Sequence, residues 1–150
     1  QVFRNRPDVE AVCHNHSPYA TAVASMDVEM RPVHPNGAIQ TDPISIYDDI
    51  HEAGGVLVTE DAEGADVADL LGEDVAVMLR GHGAVVTGKS IADVVVSSIK
   101  LEFNARMLYY QSQFGEPWYL PEELVEREVE RVHSDSGIEK SLDYYLATSG

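Results

Sequence analysis

Two apolar runs of strand length, residues 75–79 and 84–87, flank Gly81-His82-Gly83, and this arrangement constrains the chain more than any other. Glycine on either side of His82 leaves the backbone uncrowded, so an imidazole can depart from a strand end there. Far upstream, the short apolar stretch 9–14 runs into His14-Asn15-His16. Residues i and i+2 of a strand project from one face, so both upstream imidazoles point at one spot. Three neutral imidazoles with coordination left open describe a catalytic metal site rather than a closed structural one. Plainer readings stand beside this one: a His-x-His pair can be two half-buried histidines, and Arg80-Gly81-His82-Gly83 can be a tight turn whose glycines supply positive φ.

The combination carries a resemblance. Arg6-Pro7-Asp8-Val9, then Val12-Cys13-His14-Asn15-His16-Ser17-Pro18-Tyr19-Ala20, then His82-Gly83 with Gly88 closing the run, resemble the class II aldolase/adducin family from about Arg4 to Gly115. The resemblance implies an α/β fold, a three-layer α/β/α sandwich with a mainly antiparallel central sheet. Alternating strands and helices alone would suggest a parallel sheet. It also implies a divalent metal, zinc or manganese, held by His14, His16 and His82, a small-molecule substrate, and a cyclic homotetramer with active sites between adjacent subunits. The family's acidic residue, a ligand and acid/base in the aldolases, precedes the His-x-His pair. Glu10 stands only four residues before His14, and Asp8 belongs to the Arg-Pro-Asp-Val run, so neither matches it. The chain opens at Gln1 in what resembles the middle of a family member. Residues 1–150 therefore read as the C-terminal part of a single domain that lacks its N-terminal portion, and the catalytic acid/base is unassigned.

Composition narrows the partners. A chain of 150 residues, 44% hydrophobic, is one domain's worth of globular protein. Acidic residues outnumber basic ones 26 to 10, a formal net charge of −16, which repels phosphate backbones and argues against nucleic acid. No apolar run is long enough to span a bilayer, Cys13 has no partner for an internal disulfide, and the start lacks a basic-then-apolar leader. A cytoplasmic enzyme with no membrane association fits these bounds. The dispersed acids, with Lys89, Lys100 and Lys140 the only lysines, suit a high-salt cytoplasm and equally an ordinary acidic bacterial protein.

In chain order, residues 1–8 read as an exposed helix end or loop broken by Pro7, and 9–14 as a buried strand. Ser17 and Pro18 open a short helix over 19–26. Residues 31–37, with two prolines and Asn36-Gly37, are turn chemistry; His34 there is a loop residue or leans toward the metal pocket. Strands are expected at 44–47 and 56–58, His51 between them is expected in solvent, and a helix over 62–71 stops at Gly72. The clearest helix spans 90–113, with Ser90 as N-cap and Ile91, Val94, Val95, Ser98, Ile99, Glu102, Ala105 and Leu108 tracing one stripe. Helices over 120–132 and 138–146 follow, and Trp118, Tyr119, Tyr144 and Tyr145 are core or subunit contacts, with core the default expectation.

Arg80 lies two before His82 and, on a regular strand, shares its face. Its guanidinium suits a bidentate grip on a substrate carboxylate or phosphate, and equally a structural salt bridge. Intact histidines favour a metal-dependent carbon–carbon lyase over a non-catalytic module like the adducin head. Among lyases, sugar-phosphate aldolases and epimerases of the family carry Asn before the last metal histidine, whereas this chain has Gly81. Arg80-Gly81-His82-Gly83, Gly88-Lys89-Ser90-Ile91 and Glu102-Phe103-Asn104-Ala105-Arg106 look more like the decarboxylase-like members, which act on hydroxylated aromatic or heteroaromatic carboxylates.

Overall fold

The computed structural model describes residues 1–49 and 57–148; the expectations for His51 and Val56 fall outside them. Four strands form one sheet in the order β1-β4-β3-β2, with β1 at Ala11–Asn15, β2 at Ser45–Tyr47, β3 at Ala76–Leu79 and β4 at Gly83–Gly88. Both β1 and β3 run antiparallel to β4, and β2 runs parallel to β3. The sheet is therefore mainly antiparallel, because the short link between β3 and β4 is a hairpin and too brief for the crossover a parallel pair needs.

Alternation along the strands sorts the side chains into two cores. Ala76, Met78, Ala84 and Val86 face α2 (Pro18–Val23) and α4 (Ile91–Ser112), where Leu101, Ala105 and Leu108 complete the packing. Val77, Leu79 and Val85 take the opposite face, against Val67 and Leu71 of α3 (Asp61–Leu71) and Val2 of α1 (Val2–Asn5). Helices thus cover both faces of the sheet, giving the expected three layers. The tail adds α5 (Glu122–Val132) and α6 (Asp135–Thr148), the latter packed along α4.

Several local expectations are corrected. Leu57 and Val58 belong to no strand, and Leu57 is 58% exposed. The chain is drawn instead into the start of α3, where the Glu63 carboxylate accepts the backbone N–H groups of Thr59 and Glu60. On α4 Val94, Ala105 and Leu108 are buried as expected, but the buried face is rotated from the rest of the stripe: Ile91 is 77% exposed and Val95 and Ile99 also face outward, while Val96, Lys100 and Asn104 are buried. Polar side chains set this rotation, since Asp93, Ser98, Glu102 and Asn104 each grip a neighbouring segment. The segment between α2 and β2 is more than turns: Met30, Val33, Ala38, Ile39 and Ile44 are buried, and the Asn104 side chain accepts from Val33 N–H and donates to the Arg31 carbonyl. Trp118 and Tyr144 are exposed, not core, whereas Tyr119 packs against the main cluster and Tyr145 is partly buried.

The start of α4 and the end of α5 are joined through one ion pair. Ser90 caps α4 as expected, accepting from Asp93 N–H at 3.1 Å, and the Asp93 carboxylate meets His133 Nδ1 at 3.2 Å. His133 Nε2 lies 2.7 Å from the Ile39 carbonyl, which can only accept, so both ring nitrogens serve as donors and the imidazole carries a proton on each. Burial works against that charged form. The Asp93 hydrogen bond, the Ile39 carbonyl and the Asp93 charge outweigh it, holding His133 above the ordinary imidazole value despite opposition from Lys89. Asp93 is likewise pushed up by burial and pulled further down by His133 and the Lys89 backbone N–H.

The hairpin owes its shape to two glycines. Gly81 sits at φ +67°, and His82 N–H donates to the Leu79 carbonyl at 3.0 Å, closing a turn whose third residue must be left-handed. At Gly83 a Cβ would overlap the Asn15 carbonyl oxygen and touch the His16 ring. Only glycine lets β1 run beside the very start of β4.

Gly83→Ala is expected to destabilise the fold by about 2 kcal/mol or more through that backbone overlap. Gly64→Ala, inside α3 where the nearest obstacle is the flexible Gln1 side chain at 3.4 Å, is expected to stabilise it by up to about 1 kcal/mol. Urea unfolding of the two variants reads the sign of each, and equal effects would contradict the packing described. For His133, whose folded value is raised, the stability contributed is fully present below pH about 6.5 and is lost as pH rises through the raised value. The Asp93 share is present above pH about 3.9 and is lost as pH falls through its lowered value. His133→Gln is therefore expected to cost about 1–2 kcal/mol near neutral pH and progressively less in alkali. A cost unchanged from about pH 6 to 9 would contradict the charged pair.

Candidate metal centre

Each of the three histidines reaches the centre by a different local device. His14 is the penultimate residue of β1, opposite Val85 of β4. His16 directly follows the strand end, two residues on from His14, so the pleat turns it to the same side. His82 closes the β3–β4 turn, and Gly83 lets the β1 end lie directly alongside.

The three rings meet at their Nε2 atoms. His14 Nε2 lies 3.0 Å from His16 Nε2 and 3.3 Å from His82 Nε2, and all three ligand nitrogens fall within 4.8 Å of one another. Ring centroids stand 4.8–4.9 Å apart, edge-on or tilted, so the rings converge by their edges and do not stack. His14 Nδ1 is 2.9 Å from the Ala84 carbonyl. A carbonyl only accepts, so Nδ1 carries the proton and Nε2 presents its lone pair to the centre. A tetrahedral ion with bonds of about 2.0–2.1 Å places its nitrogen ligands about 3.3–3.4 Å apart. The spacing and the fixed tautomer therefore fit a metal ion, and the cluster could hold one. Among the described residues the group consists of imidazoles alone, and His14 and His16 are exposed, which leaves room for an exogenous ligand.

Arg80 follows the strand end and occupies the turn, so strand alternation does not place it beside His82. Its Nε pairs with Asp48 at 2.7 Å, and it borders a cavity of about 390 Å³ with Met26, Met30, Ile44 and Ile46 that none of the three histidines lines. His34 caps the 3-10 turn at Pro35–Gly37, its Nδ1 accepting from Asn36 N–H at 3.1 Å, and its ring meets the Phe103 edge-on. It is a loop residue.

Sequence reasoning missed two contributors. Asn15, between the paired histidines, accepts from Ser17 N–H at 3.2 Å and Ser17 Oγ at 2.7 Å while donating to Ser98 Oγ of α4 at 3.3 Å. Asn two residues before Ser is a recognisable Asx-turn signal and could have been found. The Ala84 carbonyl that fixes the His14 tautomer left no trace in the sequence, because any residue supplies a carbonyl.

Comparison with known proteins shows the family. The Class II Aldolase and Adducin N-terminal domain family matches residues 1–109. An L-fuculose phosphate aldolase of Methanocaldococcus jannaschii is 31% identical over 106 residues, which cover 71% of this chain and 54% of that protein. A 3,4-dihydroxyphthalate decarboxylase of Arthrobacter keyseri is 27% identical over 107 residues, covering 68% and 41% respectively. The solved L-fuculose 1-phosphate aldolase from Glaciozyma antarctica PI12 shares the fold, with a TM-score of 0.75 at 20% identity over 97% of this chain and 53% of that one. The chain thus spans a little over half the length of the M. jannaschii aldolase. With the family match extending through both histidine segments and well into α4, the chain belongs to the class II aldolase and adducin N-terminal domain family.

Proposed function

We propose that His14, His16 and His82 hold one divalent ion, zinc or manganese, and that the protein is a metal-dependent carbon–carbon lyase, acting as a decarboxylase on a hydroxylated aromatic or heteroaromatic carboxylate. The observation that carries the metal reading is the convergence of three Nε2 atoms with the His14 tautomer fixed by the Ala84 carbonyl. Imidazole discriminates poorly between zinc and manganese, so both remain candidates. When bound, such an ion supplies a Lewis acid for the negative charge that develops beside a breaking carbon–carbon bond. The chain itself orients: β1 and the hairpin aim the imidazoles, and the exposed faces of His14 and His16 leave an approach for substrate.

Decarboxylation and aldol cleavage generate the same kind of anion, so the choice between them rests on the substrate grip. Arg80-Gly81 before His82 supports the carboxylate reading. Asp48 engages Arg80 at Nε, and a guanidinium carries further N–H donors on its terminal nitrogens. The alternative is a sugar-phosphate aldolase or epimerase of the fuculose or ribulose phosphate type, to which the 31% identical aldolase lends weight. A non-catalytic adducin-head-like module is the weakest reading, since it has no need of three convergent imidazoles. A cytoplasmic homotetramer with sites between subunits completes the proposal. It is supported by the exposed aromatic residue Trp118 beyond Pro117, with Tyr110 and Phe114 near the end of α4, and a monomer in light scattering of the full-length protein would remove it.

Metal analysis is expected to find one zinc or manganese per chain in the purified protein and a loss of most of it in His82→Ala; full occupancy in that variant would sink the assignment. Metal-loaded protein is then offered a panel of ortho-hydroxy aromatic dicarboxylates and a panel of ketose 1-phosphates. Carbon dioxide from the first panel is expected. Turnover of the sugar phosphates alone, with dihydroxyacetone phosphate released, would refute the decarboxylase reading and leave the metal site standing.

A further inference from the structure

Of the three proposed ligands, His16 is the one that neither the strand ladder nor the hairpin turn holds. His14 is held in the β1–β4 ladder and by the Ala84 carbonyl, and His82 is closed into the hairpin turn. His16 lies past the end of β1, and two residues later the chain enters α2. A helix of six residues is marginal by itself, and its first N–H groups need acceptors. Ser17, at the N-cap position, makes no side-chain cap; its hydroxyl turns back to the Asn15 side chain.

The acceptors come from α4 instead. Glu102 Oε1 accepts Tyr19 N–H at 3.1 Å and Oε2 accepts Ala20 N–H at 2.9 Å, so both carboxylate oxygens are committed to the start of α2. One turn earlier on the same face of α4, Ser98 Oγ accepts from Asn15 at 3.3 Å. The segment from Asn15 to Ala20 is thus tied to α4 at Asn15 by Ser98 and at Tyr19 and Ala20 by Glu102, and His16 stands between the ties. Charge-assisted hydrogen bonds to a carboxylate are among the stronger polar contacts, and two in parallel fix direction as well as distance.

We propose that Glu102 is a positioning residue for the metal centre, holding His16 on the His14–His82 pair by anchoring the first turn of α2. The inference rests on the metal reading above. Glu102 touches none of the imidazoles; it acts through the backbone that carries one of them. Supporting contacts one step removed from a metal ligand are worth about tenfold to a hundredfold in affinity, so the effect is measurable.

Competition titration with Co2+, together with the visible absorption of the bound ion, tests it on the purified protein. Glu102→Ala is expected to weaken Co2+ affinity about tenfold and alter the absorption band. Glu102→Gln, whose single amide oxygen can replace only one of the two acceptors, falls between it and the wild type. In a His16→Ala background, Glu102→Ala is expected to weaken the residual affinity no further, because the ligand it positions is gone. Val96→Ala, which opens a cavity in the buried face of the same helix, is expected to lower the melting temperature while leaving Co2+ affinity and spectrum unchanged. Wild-type affinity in Glu102→Ala, an undiminished loss in the His16→Ala background, or an equal loss in Val96→Ala would each overturn the positioning role while His82→Ala still abolishes binding. Equal Co2+ binding by the wild type and His82→Ala would instead remove the metal reading, and this inference with it.

Discussion

The approach of β1 to β4 at Asn15 and Gly83 is the contact on which the rest depends. His14 and His82 are 68 positions apart in sequence, and their Nε2 atoms meet at 3.3 Å only because two backbones lie closer there than any side chain would permit. The antiparallel register then does two things at once. It sends Cys13 and Asn15 toward α4, and it turns His14 to the other side, where Val85 is its partner. A slip of one residue would exchange those faces and bury the imidazoles.

Around that contact, α4 serves as a rack of polar hooks. Asp93 takes the Lys89 N–H and the His133 imidazolium, Ser98 takes Asn15, Glu102 takes the first turn of α2, and Asn104 holds the segment at Arg31 and Val33. Burying polar groups costs free energy unless each finds its partner, and these find theirs on chain segments far away in sequence. Such pairing is directional where apolar packing is not, so it fixes the rotation of α4 about its axis. Lys100, caught on the buried side between these hooks, bears the consequence: burial lowers its affinity for a proton, Arg131 lowers it further, and only Glu128 opposes them.

This division explains what the sequence discloses. The strands, the hairpin and the two histidine segments follow from short-range rules: period-two alternation, glycine at tight approaches, and i, i+2 projection. The cap at Ser90 is equally local. Only part of the buried face of α4 follows from periodicity, because Ile91, Val95 and Ile99 form an apolar stripe as regular as the one that holds Val94, Ala105 and Leu108, and periodicity cannot rank two stripes on one helix. What decides between them is Asn104 reaching Arg31 and Glu102 reaching Tyr19, contacts 73 and 83 positions long that no window of sequence contains. Residues 31–37 read as turns because their prolines and Asn36-Gly37 are turn residues, although Arg31 and Val33 are bound by Asn104 of α4 and Ile39 just beyond by His133 of the tail.

The charge of the chain and the charge of the proposed substrate pull in opposite directions. A surface at −16 repels a carboxylate or a phosphate over the Debye length, about 8 Å at physiological salt. At the proposed metal centre the ligand set works the other way. The three imidazoles found among the described residues are neutral and cancel none of the charge of a bound dication, where thiolates would. An anion close to such an ion meets its positive field before the more distant acidic surface. Neutral imidazoles on an acidic protein thereby favour an anion at the proposed centre itself, against the repulsion of the net charge.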